Sequence, residues 1–145
     1  EARRVAAEAL ARHDEAAVEE AMAVADVATF ADRPVDALSG GQRQRCWIAM
    51  VLAQETDLLL LDEPTTGLHF ADVEKLLTVL HRLVDAGHMV VVIEHHTELI
   101  NNADHVIDLG PDGGIDGGHQ VVAGPPEVVA KTPDSWTGKA LAALG

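Results

Sequence analysis

The chain has 145 residues, of which 48% are hydrophobic and 23% are charged, and its formal net charge is −14 at pH 7. This length suits one hydrophobic core, because domains commonly contain about 100–150 residues. The negative charge argues against a surface that holds nucleic acid by itself, because such a surface repels phosphate backbones. With Cys46 as the single cysteine, the chain can form neither an internal disulfide nor a multi-cysteine zinc site.

The apolar runs and the start of the chain bear on where the protein works. No apolar run approaches the ~20 residues that span a bilayer, and no signal peptide opens the sequence. We therefore expect a cytoplasmic protein. The chain begins at Glu1 without a methionine and within a helix-forming stretch, so we expect it to be a piece of something longer.

The first predicted elements are helices. Residues 1–28 are rich in alanine, glutamate and arginine, which favour helix. Residues 30–37 have the composition of a loop. A second helix is predicted from Gly41 to about Gln54, with Ser39 at its start. We expect this helical segment to end near residue 56.

An α/β pattern follows over residues 57–145. The continuous apolar runs at 57–62 and 89–93 predict strands that are covered on both faces. Apolar residues recur at helical spacing from Phe70 until Gly87. The remaining predicted elements are a short helix at 97–101, a strand at 106–109, a turn at 110–118, a return strand at 120–123, and closing helices at 125–131 and 135–144. The alternation of strands and helices predicts a parallel sheet, and the turn predicts a terminal β-hairpin.

The sequence LSGGQRQR at residues 38–45 offers a place where a phosphate can bind. Ser39 followed by Gln42 predicts a capping box, which is a structural role that needs no ligand. Gly40 and Gly41 add bare backbone N–H groups at the positive end of the helix dipole, where a phosphate can approach. The capping box alone is weak evidence for a nucleotide site, and a second motif strengthens it.

That second motif is LLLLDEP at residues 58–64. The strand places Asp62 and Glu63 at its carboxyl end, where open α/β sheets bind ligands. In a phosphohydrolase, the first carboxylate of such a pair holds Mg²⁺ and the second orients or deprotonates the attacking water. The alternative is a strand that ends in a solvated acidic turn, and the combination with LSGGQ favours the catalytic interpretation.

The ordered motifs LSGGQ, LLLLDEPTTGL and VVVIEH resemble the second half of an ATP-binding cassette (ABC) ATPase, over nearly the whole chain. The resemblance implies a partial P-loop NTPase fold, with ATP and Mg²⁺ as cofactors. It also implies that the signature residues touch the γ-phosphate of ATP held by a facing cassette, and these residues are Ser39, Gly40, Gly41 and Gln42.

The same resemblance implies roles for the residues that follow. Asp62 would support Mg²⁺ through water, and Glu63 would be the general base. The D-loop between the two cassettes would contain Gly67, Leu68 and His69. His95 would be the switch histidine that contacts the γ-phosphate, and its neighbour His96 is the alternative.

A phosphate loop of the form GxxxxGK[ST] is absent from the 145 residues. Without it, nothing cradles the β- and γ-phosphates or supplies the lysine that the loop carries. We therefore expect the chain to hold half of each composite site and to hydrolyse no ATP by itself. Its partner would be a second cassette or a missing N-terminal half.

The two parts of the chain resemble different branches of the family. Residues 14–66, above all RQRCWIAMVLAQET, resemble ferric-siderophore importer ATPases. Residues 67–145 resemble the DNA-damage-recognition ATPase of the excinuclease ABC system, in GLHFADVEKLLTVLHRLVDAGHMVVVIEH, ADHVIDLGPDGG and SWTGKAL. DEPTT is common to both patterns, so a seam is predicted after Thr66. A natural recombinant, an engineered chimera and an assembly artefact remain open as its origin.

Three functions remain open at this point. The first is an ATPase module of nucleotide-excision repair, in which DNA is bound only through absent segments. The second is the motor of a siderophore importer, which docks on a membrane permease. The third is a truncated cassette half without activity of its own. The longer resemblance, from Gly67 onward, favours the repair module.

Overall fold

A computed structural model describes residues 14–110 and 117–144 of the chain. The chain divides into two compact units, Glu1–Ile93 and Glu94–Gly145. The sequence predicts a change near residue 56, from a helical segment to an α/β segment. In the structure the helices before residue 56 share a unit with the first two strands. The reason is that the helix which starts with the signature residues packs against the helix between those strands.

The described part of the first unit, from residue 14, starts with helices. Helix α1 is described over residues 14–24 and is followed by two short 3₁₀ turns, Ala28–Phe30 and Val35–Ala37. The part of the predicted helical stretch before residue 14 lies outside the described residues. Helix α2 runs over Gly40–Leu52, close to the predicted bounds. Its buried face consists of Gly41, Arg45, Ile48, Ala49 and Leu52.

The first unit continues as a strand–helix–strand motif. Strand β1 (Leu58–Asp62) and strand β2 (Met89–Ile93) pair in parallel, with Leu58 opposite Met89 and Asp62 opposite Ile93. Helix α3 (Phe70–Asp85) connects them. Its apolar residues fall on one face, as the helical spacing predicts, and the buried ones are Val73, Leu76, Val79, Leu80 and Leu83. The predicted parallel arrangement of these strands is confirmed.

One face of the β1–β2 pair is uncovered in the part of the chain that the structure describes. The apolar side chains on this face are between 43% and 64% exposed, and they are Leu58, Leu60, Met89, Val91 and Ile93. The prediction that both strands are covered on both faces is therefore wrong for residues 14–110 and 117–144. Strand side chains alternate between two faces, and the helices of this unit supply a layer for one of them.

The second unit contains helix α4 (Thr97–Asn101) and a β-hairpin, followed by two short helices. The hairpin strands, β3 (Val106–Gly110) and β4 (His119–Gly124), pair antiparallel. The last two helices are α5 (Pro126–Val129) and α6 (Trp136–Ala142). Among the described residues β3 pairs with β4, which confirms the terminal hairpin but not the expected place of this strand in the parallel sheet. The predicted turn at 110–118 lies mostly outside the described residues, which omit 111–116.

Across residues 14–110 and 117–144, none of the helices combines the length and apolar character that a bilayer span requires.

Candidate functional site

The start of α2 has the predicted capping box. The N–H of Gln42 donates to the Ser39 hydroxyl at 3.2 Å, and the N–H of Ser39 donates to Gln42 Oε1 at 2.9 Å. The N–H groups of Gly40 and Gly41 belong to the first turn, so they have no acceptor within the helix. Ser39 and Gly40 are exposed. The helix therefore presents N–H groups, and the positive end of its dipole, toward a position where an anion could bind.

Gly41 has a packing role that the sequence does not reveal. A Cβ added at Gly41 would lie 2.5 Å from Cβ and Cγ of Asp72, in the first turn of α3. Gly41 is buried, whereas a Cβ at the exposed Gly40 would meet Leu68 Cδ2 at an ordinary 3.5 Å. The two glycines therefore differ, because only Gly41 is needed for the close approach of α2 to α3.

The carboxyl end of β1 presents the two predicted catalytic carboxylates. Asp62 is the last residue of β1, Glu63 follows it, and both are exposed. Glu63 has a φ of +44°, a left-handed conformation that is uncommon for residues other than glycine. Its N–H donates to the Ile93 carbonyl at 2.9 Å, and its Oε2 accepts from the Thr66 hydroxyl at 3.2 Å. The turn thus holds Glu63 by its backbone and leaves its carboxylate accessible to water.

The segment Gly67–His69, the predicted D-loop, joins this turn to α3. Gly67 has a φ of +73°, a conformation that suits glycine, and it lies where the chain turns toward the helix. His69 is the N-cap of α3, and its Nδ1 accepts from the N–H of Ala71 at 3.4 Å. Leu68 faces Gly40, so the start of the signature helix and the predicted D-loop lie side by side.

The two candidate switch histidines follow β2 and differ in how exposed their side chains are. The side chain of His95 is 78% exposed. His96 is partly buried, and its Nδ1 is buried without a hydrogen-bond partner. Both backbone N–H groups donate to Oε2 of Glu94, at 2.6 Å from His95 and 2.9 Å from His96. Of the two rings, His95 is therefore the one that a ligand could reach.

The predicted site residues fall into two groups. The first unit brings together the signature residues 39–42 and the D-loop residues 67–69, and it contains Asp62 and Glu63 as well. His95 belongs to the second unit. Over the described part of the chain, no three His, Cys, Asp or Glu side chains form a group that could hold a metal ion.

Several residues that shape the site were missed from the sequence. Thr66 supports Glu63, and Asp72 packs on Gly41. The sequence offers one indication that Glu94 matters, namely its place in VVVIEH beside the predicted switch histidine. Nothing in that motif indicates that its side chain is buried. Asp72 and Gly41 are distant in sequence, so only the folded chain reveals their contact.

Residues 2–66 match the family model described as "ABC transporter". This part of the chain matches the ATP-binding cassette ATPase family. The matched residues include the LSGGQ signature and extend through the carboxylate pair to Thr66. This result confirms the family that the motifs indicate, and with it the partial P-loop NTPase fold.

The chain is similar to curated proteins of the excinuclease branch. The chain is 59% identical over 107 residues to "UvrABC system protein A" of Bradyrhizobium diazoefficiens, a match that covers 72% of this chain and 11% of the relative. It is 54% identical over 112 residues to the protein of the same name from Aquifex aeolicus, with 75% of this chain and 12% of the relative covered. The chain thus spans about an eighth or less of the length of these relatives.

Solved structures give the same fold assignment. UvrA2 from Deinococcus radiodurans matches with a TM-score of 0.62 and 43% identity, over 73% of this chain and 13% of that one. The protein cbiO1 from Clostridium perfringens, described as part of the ABC transporter complex cbiONQ, matches with a TM-score of 0.68 and 27% identity, over 79% and 44%. A cassette named MJ0796, described as dimeric and bound to ADP and Pi, matches with a TM-score of 0.52 and 32% identity, over 61% of this chain and 39% of that one.

Proposed function

We propose that this chain supplies three elements of an ABC ATPase of the excinuclease type, which acts in nucleotide-excision repair. These elements are the signature residues 39–42, the carboxylate pair Asp62 and Glu63 (the Walker B element) and the switch histidine His95. The exposed Asp62–Glu63 pair at the end of β1 is the observation that carries the ATPase chemistry. The identity to UvrABC system protein A supports the repair branch over the others.

The geometry of the turn after β1 supports the proposed catalytic roles. Glu63 accepts a proton from the attacking water, because its carboxylate is exposed and hydrogen-bonded to one neutral hydroxyl from Thr66. Asp62 would hold Mg²⁺ through water, and a bound Mg²⁺ would supply neutralisation of charge on the phosphates. One or two carboxylates together with substrate phosphates are the usual ligands of Mg²⁺, so this donor set fits.

The signature residues and His95 recognise the γ-phosphate in this proposal. Gly40 and Gly41 offer first-turn N–H groups at the positive end of α2, and the Ser39–Gln42 capping box fixes the shape of that end. His95 offers an exposed imidazole. The ATP itself would be held by the phosphate loop of a facing cassette, since this chain has none.

A transplant tests this function. In the Bradyrhizobium relative, the segment that aligns with this chain is replaced by the chain's own residues, and the resulting hybrid protein is called the grafted relative. Its ATP hydrolysis is then measured. We expect turnover that is abolished by Glu63→Gln, and no turnover by the pure 145-residue chain. Turnover by the pure chain that Glu63→Gln removes would contradict the half-site proposal, and an inactive but folded grafted relative would contradict the repair assignment.

An importer motor is the second candidate. It is supported by the match of residues 2–66 to the family model described as "ABC transporter" and by the likeness to cbiO1. Such a motor docks on a membrane permease, whereas a repair module reaches DNA through segments outside this chain. Co-purification with a siderophore permease, in the absence of any activity in the grafted relative, would favour the importer.

The third candidate is an inert cassette half, supported by the missing phosphate loop. Titration of the pure chain with MgATP, read as the thermal unfolding midpoint, separates it from a nucleotide-binding half. A ligand that binds only the folded state stabilises it by about 2.7 kcal/mol at 100 times its Kd. A midpoint that does not move at any MgATP concentration supports the inert half.

A further inference from the structure

The carboxylate of Glu94 is almost completely removed from water. Only 1% of the side-chain surface is exposed, and its Oε2 accepts from the N–H groups of His95 and His96. The same oxygen lies 3.5 Å from Nδ1 of His95. A buried carboxylate is costly unless donors satisfy it, and here three nitrogens of the next two residues converge on one oxygen.

We propose that Glu94 is a positioning residue that fixes the tautomer and the direction of the His95 ring. Which nitrogen of a neutral imidazole carries the proton is set by the partner of each nitrogen. A carboxylate accepts and does not donate, so the Nδ1 that faces Glu94 carries the proton. Nε2 lies on the other side of a ring that is 78% exposed, and it is the nitrogen left for a ligand.

The choice of tautomer matters for an anionic ligand, and this step rests on the proposed function. A phosphate oxygen at Nε2 accepts a hydrogen bond only when that nitrogen carries a proton. Glu94 lies 3.5 Å from Nδ1, on the other side of the ring. Glu94 would thereby hold the ring so that Nε2, and not Nδ1, is directed toward the γ-phosphate.

Two substitutions separate positioning of the ring from support of the loop. Glu94→Gln keeps an amide oxygen that can accept from the backbone N–H groups of His95 and His96, but it removes the charge that holds the proton on Nδ1. Glu94→Ala removes both functions. Glu98→Gln is the matched control, because Glu98 is an acid of the same unit, in the first turn of α4.

The test is nitrogen NMR of the ¹⁵N-labelled 145-residue chain, with the His95 ring assigned by comparison with His95→Gln. At a pH of about 8.5, two units above the usual histidine value of about 6.5, imidazoles are neutral and their tautomers can be counted. We expect Nδ1–H to be the main form of His95 in the unsubstituted chain. In Glu94→Gln the ratio of Nδ1–H to Nε2–H should fall by about tenfold, which corresponds to about 1.4 kcal/mol, while Glu98→Gln leaves the ratio unchanged.

Two results would overturn the proposal. One is an Nε2–H form of His95 in the unsubstituted chain. The other is an unchanged ratio in Glu94→Gln, even if the amide signals of His95 and His96 move, because that pattern is expected of a purely structural carboxylate. Neither measurement requires nucleotide. If the grafted relative hydrolyses no ATP while the tautomer follows Glu94, the proposed function fails and the positioning role stands.

Discussion

Glu63 and Glu94 each follow a strand of the parallel pair, and their carboxylates have opposite surroundings. Glu63, after β1, is exposed, and its carboxylate accepts from the Thr66 hydroxyl at 3.2 Å. Glu94, after β2, has a side chain that is 1% exposed and accepts from the N–H groups of His95 and His96. The same residue type after two neighbouring strands therefore lies in two different environments.

The difference shows how to distinguish a reactive carboxylate from a supporting one. A general base must exchange protons with a water that reaches it, so it cannot be saturated by fixed donors. A carboxylate held by backbone N–H groups is committed to the shape of its loop, and it acts on the reaction only through a neighbour. By this criterion Glu63 is the candidate base and Glu94 supports His95.

The largest expected effect is on turnover in the grafted relative. Glu63→Gln should lower kcat at least about 100-fold with little change in ATP binding, because general base catalysis contributes about 10²–10⁴-fold. Glu94→Gln should lower kcat/KM about tenfold, mainly through KM, because the His95 ring is no longer held in the direction that suits bound nucleotide. Steady-state kinetics at varied MgATP gives both numbers.

Glu74→Gln is the matched control for these variants, because Glu74 is an exposed acid on α3. Its kinetics should equal those of the unsubstituted grafted relative. Equal losses of kcat in Glu63→Gln and Glu94→Gln would contradict the distinction between the two carboxylates.

The next effect concerns Asp72, a third acidic residue, which packs on Gly41 at the start of α2. Gly41→Ala should lower the free energy of unfolding by about 1–3 kcal/mol, because the new methyl group overlaps Asp72 and either the side chain or the helix must move. Gly40→Ala is the control, and its effect should stay within about 1 kcal/mol, because its new methyl group meets Leu68 at an ordinary distance. Urea unfolding of the chain measures both, and equal losses would contradict the assigned packing role.

Some of these structural features could be predicted from the sequence, and others could not. The strand at 89–93 and the capping box of Ser39 and Gln42 were predicted and are present, because both depend on neighbours within a few residues. The uncovered face of that strand was not predicted, because an apolar run is the same whether or not a second layer belongs to the chain. The position of Glu63 directly after a strand was also predictable, whereas nothing in VVVIEH indicates that the side chain of Glu94 is buried.

Asp108 provides a third kind of carboxylate, in which hydroxyl donors occupy both oxygens, and we expect it to be structural. Its two oxygens accept from the hydroxyls of Ser135 and Thr137, each at 2.6 Å, and Ser135 is completely buried. Asp108→Asn replaces one acceptor oxygen by an NH₂ group, so the free energy of unfolding should fall by about 1–2 kcal/mol. The control is Asp104→Asn, at an exposed position, which should change it by less than about 0.5 kcal/mol.

The same variants test whether the hydrogen bonds of Asp108 affect only the stability of the fold and not the reaction. Asp108→Asn in the grafted relative should leave kcat unchanged at temperatures where the protein stays folded. A loss of kcat without a loss of stability would place Asp108 with the reactive carboxylates instead.

The smallest expected effect is at Thr66, whose hydroxyl donates to Glu63 Oε2. Thr66→Val removes this hydrogen bond while keeping a side chain of similar shape, and the backbone bond from the Thr66 N–H to the Glu63 carbonyl at 3.1 Å remains. Because the lost bond is exposed and lies at a distance of 3.2 Å, we expect kcat in the grafted relative to fall only about three- to tenfold, the range of an ordinary hydrogen bond. Thr66→Ser keeps the hydroxyl and should retain kcat. A loss in Thr66→Val as large as that in Glu63→Gln would mean that the turn, rather than the carboxylate, limits the reaction.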